Sequence, residues 1–183
     1  MKIPYFFACW LPSLLTFANA CCGLLAMMYT LQGSYGTASL LIIFAAWLDG
    51  CDGRVARYLG TTSVFGLQLD SLADVVSFCV APALLMYHAT VTAGGTVAIV
   101  AAVGYLCAGL FRLARFNVTH AEQQRSFIGL PTPAAASLLL AVVLLSHYWH
   151  AMAWQMVAPS AIIIVTIGTA LLMVSRIRFP AGK

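Results

Sequence analysis

The sequence predicts an all-α integral membrane protein of six transmembrane helices with both termini in the cytoplasm. Three observations carry that prediction: 62% of the 183 residues are hydrophobic, only 8% are charged, and those few charges are unevenly placed. A soluble domain carries roughly 25% charged residues. This chain has too little polar surface to cover a globule in water, so most of it must face lipid. A soluble enzyme, a nucleic-acid-binding domain and a disordered protein are thereby excluded. A spanning helix needs about 20 apolar residues, which leaves room for six spans and no second domain, so residues 1–183 read as one membrane domain.

Apolar runs set off by turn residues place the spans near residues 11–31, 36–58, 66–88, 95–117, 131–149 and 157–176. The breaks are Gln32-Gly33-Ser34, Leu59 to Phe65, Gly94-Gly95, Thr119 to Ser126 and Trp149 to Pro159. The first run contains Ala18-Asn19-Ala20, which resembles a signal cleavage site. It stays apolar through Leu31, long enough to span, so it is expected to remain as a helix. The second run and the start of the third carry charges, so hydropathy alone would clip both. The fourth contains Gly104 and Gly109, small residues at which helices can pack closely. The fifth opens on Pro131 and Pro133, where a missing N–H costs little.

Orientation follows from the basic residues. With the N-terminus inside, Lys2, Arg54, Arg57, Arg112, Arg115, Arg125, Arg176, Arg178 and Lys183 all fall on the cytoplasmic side. They are the chain's full set of Lys and Arg, and the arrangement obeys the positive-inside rule. His88 and His147 fall at the opposite interface and read as structural. The six cysteines lie in apolar runs without C-x-x-C spacing, so neither a disulfide framework nor a zinc site is indicated.

The acidic residues are the functional signal. Four of the five, Asp49, Asp52, Asp70 and Asp74, fall within 26 residues, inside otherwise apolar spans. A carboxylate in a spanning helix costs at least about 2.5–3.5 kcal/mol and marks a functional site by default. At helical pitch Asp49, Asp52, Gly53 and Ala56 fall within an arc of about 100°, and Gly66, Asp70 and Asp74 form an i, i+4, i+8 row. Spans two and three meet at a short cytoplasmic loop and run antiparallel. Asp52 and Asp70 should therefore share one depth, and Asp49 and Asp74 another, one turn away.

Four converging anions require cations. All-oxygen ligands suit Mg²⁺, Mn²⁺ or Ca²⁺ rather than zinc, and two divalent ions would roughly neutralise the cluster. Gly53, Gly66, Ala56 and Ala73 leave room for a large ligand, and Arg57 at the mouth suits a phosphate. The pattern points to metal-assisted phosphoryl transfer. Two alternatives stand beside it. A proton or cation pathway explains the acids but not the glycines, and a structural ion-pair network would use Arg54, Arg57, Arg112 and Arg115.

Asp49-x-x-Asp52-Gly53-x-x-Ala56-Arg57-x8-Gly66-x3-Asp70-x3-Asp74 resembles the signature of the CDP-alcohol phosphotransferase family, with every defining position present. The resemblance implies a six-span membrane enzyme, usually a homodimer, that cleaves a CDP-linked lipid and passes its phosphatidyl group to an alcohol, releasing CMP. It implies Asp49, Asp52, Asp70 and Asp74 as ligands of Mg²⁺ or Mn²⁺, with two ions expected and Ca²⁺ able to occupy the site. Asp74 would also be the catalytic base on the acceptor hydroxyl. Gly53, Arg57, Ser63 and Gly66 would line the CDP-lipid site. Pro12-Ser-Leu-Leu-Thr16 resembles the family's first-span motif, adding Ser13 and Thr16, although Ser13 stands where Asn or Asp is common.

Further blocks resemble the serine-using branch of that family. They are Thr16-Phe-Ala-Asn19-x3-Gly23, Leu69 to Phe78 with Ala81-Pro82-Ala83, Phe111 to Asn117, and Phe127 to Ala136. The implied substrates are CDP-diacylglycerol and L-serine, at a site in the cell (inner) membrane that opens to the cytoplasm. Candidate serine contacts are Asn19, Arg112, Arg115, Asn117 and Arg125. An arginine fork holds a carboxylate in a fixed orientation, and an amide oxygen accepts from an ammonium. The plainer reading makes these arginines topology signals and headgroup anchors.

Overall fold

Local backbone chemistry ends the helices at the sequence breaks. A computed structural model describes residues 5–60, 64–121, 130–148 and 152–175. Helix α1 spans Tyr5–Leu31 and continues unbroken past the Ala18-Asn19-Ala20 site. It closes on Gly33, whose φ of 75° is left-handed. There Ser34 N–H donates to the Tyr29 carbonyl at 2.9 Å and Gly33 N–H to the Thr30 carbonyl at 2.9 Å. This pair of bonds is a Schellman cap, which satisfies carbonyls that the helix end would orphan. Ser34 then opens α2, Tyr35–Leu59, by accepting the Ala38 N–H at 3.0 Å. Gly60, with φ of 64°, ends it in the same left-handed manner.

Helix α3, Val64–Asp74, passes directly into a π-helical segment, Val75–Val80, and then into α4, Ala81–Ala121. Within α4, Gly95 departs from helical geometry with φ 47° and ψ −126°, a region open essentially to glycine alone. The chain doubles back there. Residues on either side pair across the break: Phe78 with Tyr105, Cys79 with Gly109, and Ser71 with Asn117. Helices α5, Thr132–Tyr148, and α6, Met152–Val174, complete the bundle. No strand occurs among the described residues. The helices follow the expected spans within a few residues, except that α1 and α6 begin earlier, at Tyr5 and Met152.

The π-helical segment has no counterpart in the sequence reading. Its backbone is braced from both neighbours. Tyr105 Oη–H donates to the Phe78 carbonyl at 3.0 Å, and Ser77 Oγ–H donates to the Asn19 carbonyl at 2.9 Å. Two glycines let these neighbours approach. A Cβ at Gly23 would lie 2.8 Å from Ser77 Cα, and one at Gly109 would lie 2.5 Å from Cys79 Sγ. Gly109 thus packs as expected, whereas Gly104 faces open space and does not.

Packing is inverted relative to a water-soluble protein. Ala26, Ala38, Ala45, Ala81, Ala98 and Ala135 are fully buried, while Leu40, Trp47, Val100, Ile164 and Leu171 are each at least 63% exposed. Small residues let helix backbones approach where no hydrophobic force drives association, and large apolar side chains are left for lipid. Among the described residues two helical stretches are long and apolar enough to cross a membrane: Pro12–Leu31, and Val64–Val118 with its reversal at Gly95. Thr132–Ser146 and Pro159–Val174 are shorter apolar stretches. These features are those of a membrane protein. At the opposite end from the carboxylates, Tyr35 Oη lies 2.9 Å from His88 Nδ1, which agrees with a structural role for that histidine.

Candidate active site

The carboxylates come from the end of α2 and from α3. The i, i+4 spacing on α3 and the approach of the end of α2 bring carboxylate oxygens of Asp49, Asp70 and Asp74 within 4.8 Å of one another. Asp52, one turn further along α2, stands beside this group and is 5% exposed. The charge of Asp70 acts on it, and its Oδ2 lies 3.0 Å from the Thr16 hydroxyl of α1. The same hydroxyl lies 3.0 Å from the Pro12 carbonyl, so one proton serves two acceptors. The structure therefore gathers a core of three aspartates, with the fourth tied to α1.

Two oxygens of this group, Asp70 Oδ1 and Asp74 Oδ1, are buried without a hydrogen-bond partner. Buried anionic oxygens left unpaired are costly, and a cation is the usual resolution. Three carboxylates converging with orphaned oxygens fit a hard divalent ion such as Mg²⁺, Mn²⁺ or Ca²⁺. Asp74 is the last residue before the π-helical segment, so the bracing of that segment by Gly23, Ser77 and Tyr105 also fixes where its carboxylate projects. Such π segments frequently interrupt an α-helix at functional sites.

On the side expected to take the CDP-lipid, Ser13 is half-buried and Thr16 buried on α1, Gly66 is half-buried near the start of α3, and Gly53 is exposed beside open space. Ser63, Arg125 and the side chain of Arg57 lie outside the described residues.

The acceptor-side candidates separate. Arg112, on the returning arm of α4, is 9% exposed, and its charge acts on Asp74 and Asp49. One terminal nitrogen, Nη1, donates to Thr132 Oγ1 at 3.1 Å, while Nε is buried with no partner. Its guanidinium carbon lies 5.9 Å from the centre of the Phe116 ring. Arg115 turns elsewhere: its Nη2 approaches the Ser175 carbonyl at 3.5 Å, and its guanidinium carbon lies 6.0 Å from the Phe111 ring centre. A cation there complements the C-terminal end of α6. Asn117 is half-buried, and its Oδ1 already accepts the Ser71 hydroxyl at 2.9 Å, leaving one lone pair. Asn19 is fully buried, with both its amide oxygen and nitrogen unpartnered.

Three contributors escaped the sequence reading: Thr132, Ser71 and Ser77. Each acts across helices distant in the chain, so periodicity within one helix carries no signal for them. Ser71 and Ser77 fall inside the block Leu69 to Phe78 and Thr132 inside Phe127 to Ala136, but the resemblance carried by those blocks gives none of the three a role.

Comparison with known proteins gives a consistent answer. The family model described as CDP-alcohol phosphatidyltransferase matches residues 9–174. A CDP-diacylglycerol–serine O-phosphatidyltransferase of Helicobacter pylori is 39% identical over 94% of this chain and 72% of its own length. The protein of that name from Bacillus subtilis is 36% identical over 95% of this chain and 92% of its own. An archaetidylserine synthase of Methanothermobacter thermautotrophicus is 37% identical over 98% of this chain and 72% of its own.

Proposed function

The chain belongs to the CDP-alcohol phosphatidyltransferase family, and from that premise we propose that it transfers the phosphatidyl group of CDP-diacylglycerol to the hydroxyl of L-serine, giving phosphatidylserine and CMP. The observation that carries this reading is the convergence of Asp49, Asp70 and Asp74 around two buried, unpartnered carboxylate oxygens. The serine-using relatives support the acceptor, as does the buried guanidinium of Arg112, whose charge acts on Asp74.

In the proposed mechanism, Asp49, Asp70 and Asp74, with Asp52 alongside, hold two Mg²⁺ or Mn²⁺ ions, Ca²⁺ being a possible occupant. When bound, these ions neutralise charge on the diphosphate and on departing CMP. Thr16 and Ser13 face the nucleotide side together with Gly53, Arg57, Ser63 and Gly66. Arg112 takes the serine carboxylate through a side-on fork, and Asn19, Asn117 and Arg125 complete the acceptor side, while Arg115 is turned to the end of α6. Asp74 removes the serine hydroxyl proton as the oxygen forms its bond to the phosphatidyl phosphorus. The bond from that phosphorus to the CMP oxygen breaks, and CMP leaves with the electron pair. Proton removal of this kind is worth roughly 10²–10⁴-fold.

The same reading places the chain as a six-span homodimer in the cell (inner) membrane, both termini and the site facing the cytoplasm. Residues 1–183 form one catalytic membrane domain. The test is CMP release by purified protein from labelled CDP-diacylglycerol, with Mg²⁺ or Mn²⁺ and a panel of alcohols. Release with serine, abolished by a chelator and restored by the metal, is expected. Release with inositol phosphate or glycerol phosphate in place of serine would overturn the acceptor, and no release with any alcohol would overturn the activity.

A further inference from the structure

Arg112 is held by a residue to which the sequence resemblance gives no role. Thr132 opens α5 and is fully buried, and its Oγ1 accepts from Arg112 Nη1 at 3.1 Å. The start of α5 is itself anchored. Leu130 N–H reaches the Leu172 carbonyl of α6 at 3.4 Å, and Ala135 N–H donates to the Pro131 carbonyl at 3.0 Å. Prolines on either side of Thr132 restrict the backbone that presents its hydroxyl.

The chemistry of the guanidinium gives this contact a direction. Its donors lie in one plane as a rigid fork, and Nε shares one edge with the terminal nitrogen other than Nη1. Thr132 occupies the Nη1 side, and Phe116 lies 5.9 Å from the guanidinium carbon. Nε itself is buried and has no partner among the described residues. A guanidinium fixed at Nη1 keeps that other edge in a single orientation, which bidentate capture of a carboxylate needs. We propose that Thr132 is a positioning residue for the acceptor amino acid: its hydroxyl locks Arg112 Nη1 so that the Nε edge meets the serine carboxylate. This inference rests on the acceptor reading above and adds to it the residue that sets the fork.

The test compares Thr132→Val, which keeps shape and removes the hydroxyl, with Thr132→Ser, which keeps the hydroxyl. The readouts are kcat/KM for serine, KM for CDP-diacylglycerol and thermal stability in detergent. T132V should lower kcat/KM for serine about tenfold, the scale of one hydrogen bond to a charged group. Its KM for CDP-diacylglycerol should stay within about twofold of wild type, and T132S should stay close to wild type in every readout, because both bonds at issue are hydroxyl bonds. In an Arg112→Ala background, T132V should lower kcat/KM for serine no further, since the two act as one unit. Equal kcat/KM for serine in T132V and wild type would overturn the inference. So would a parallel loss for both substrates, or additive effects in the double variant. Should T132V not fold, the inference stands or falls on T132S: a tenfold loss there, with the hydroxyl present, would overturn it. Wild-type turnover with another alcohol and not with serine overturns the acceptor reading together with this inference. Normal serine turnover with an unaltered T132V overturns this inference alone.

Discussion

Gly23→Ala tests whether the close approach of α1 to the π-helical segment sets the active site. A Cβ at position 23 would stand 2.5 Å from Ser77 Oγ and 2.8 Å from Ser77 Cα. The hydroxyl can rotate away, but the Cα cannot. Ordinary contact begins at 3.4 Å, so α1 must withdraw by about 0.6 Å or the π turn must shift by as much. Overpacking of this kind costs roughly 1–3 kcal/mol. The withdrawal acts on two bonds that couple α1 to the site: Ser77 Oγ to the Asn19 carbonyl at 2.9 Å, and Thr16 to Asp52 at 3.0 Å. Stretching each by the same distance takes it past hydrogen-bonding range. Displacement of reacting groups by about 1 Å costs on the order of 10²-fold, so kcat/KM should fall between about tenfold and a hundredfold. Initial rates of CMP release in mixed micelles, with thermal unfolding alongside, measure both effects. Gly104→Ala is the control, because nothing lies within 4 Å of the Cβ it adds. A G23A protein with wild-type rates and stability would refute the idea that this contact positions Asp74.

Asp74→Asn should reduce turnover by about 10²–10⁴-fold while binding of CDP-diacylglycerol stays measurable, read by single-turnover CMP release and by lipid-binding titration. Thr16→Val removes the hydroxyl donor from Asp52 and should lower kcat/KM for CDP-diacylglycerol about tenfold, with KM for serine unchanged in steady-state assays. Tyr105→Phe strips the Phe78 carbonyl of its partner and should destabilise the protein by about 1–3 kcal/mol, seen as a lower Tm in detergent.

The parts of this molecule that are local in sequence are legible there. Gly33, Gly60 and Gly95 end or reverse helices because their backbone angles suit glycine, and each stands at an expected break. The aspartate core is legible for a related reason. Asp70 and Asp74 share a helix face by spacing, and the short connection to α2 sets the partner face that brings Asp49 to them. The π-helical segment is different, because nothing in Val75–Val80 announces it. It depends on Gly23, Asn19, Tyr105 and Gly109, residues contributed by two other stretches of helix. Gly104 and Gly109 read alike in the sequence, and only the neighbouring Cys79 tells them apart. Arg112 and Arg115 read alike as well. One faces the carboxylates and the other the end of α6, since an i, i+3 offset on a helix beside several partners suffices to separate two side chains.

The reversal at Gly95 has a consequence for biogenesis. Its turn is made of Gly94 and Gly95, and the residues from His88 to Gly104 include no Lys, Arg, Asp or Glu. Carrying a charge through the bilayer is the expensive part of moving a turn across it. A turn without charge crosses at low cost, so the two arms that it joins can enter lipid together as a preformed hairpin. Their mutual contacts, Tyr105 to Phe78 and Ser71 to Asn117, lie within the two arms and need neither α5 nor α6.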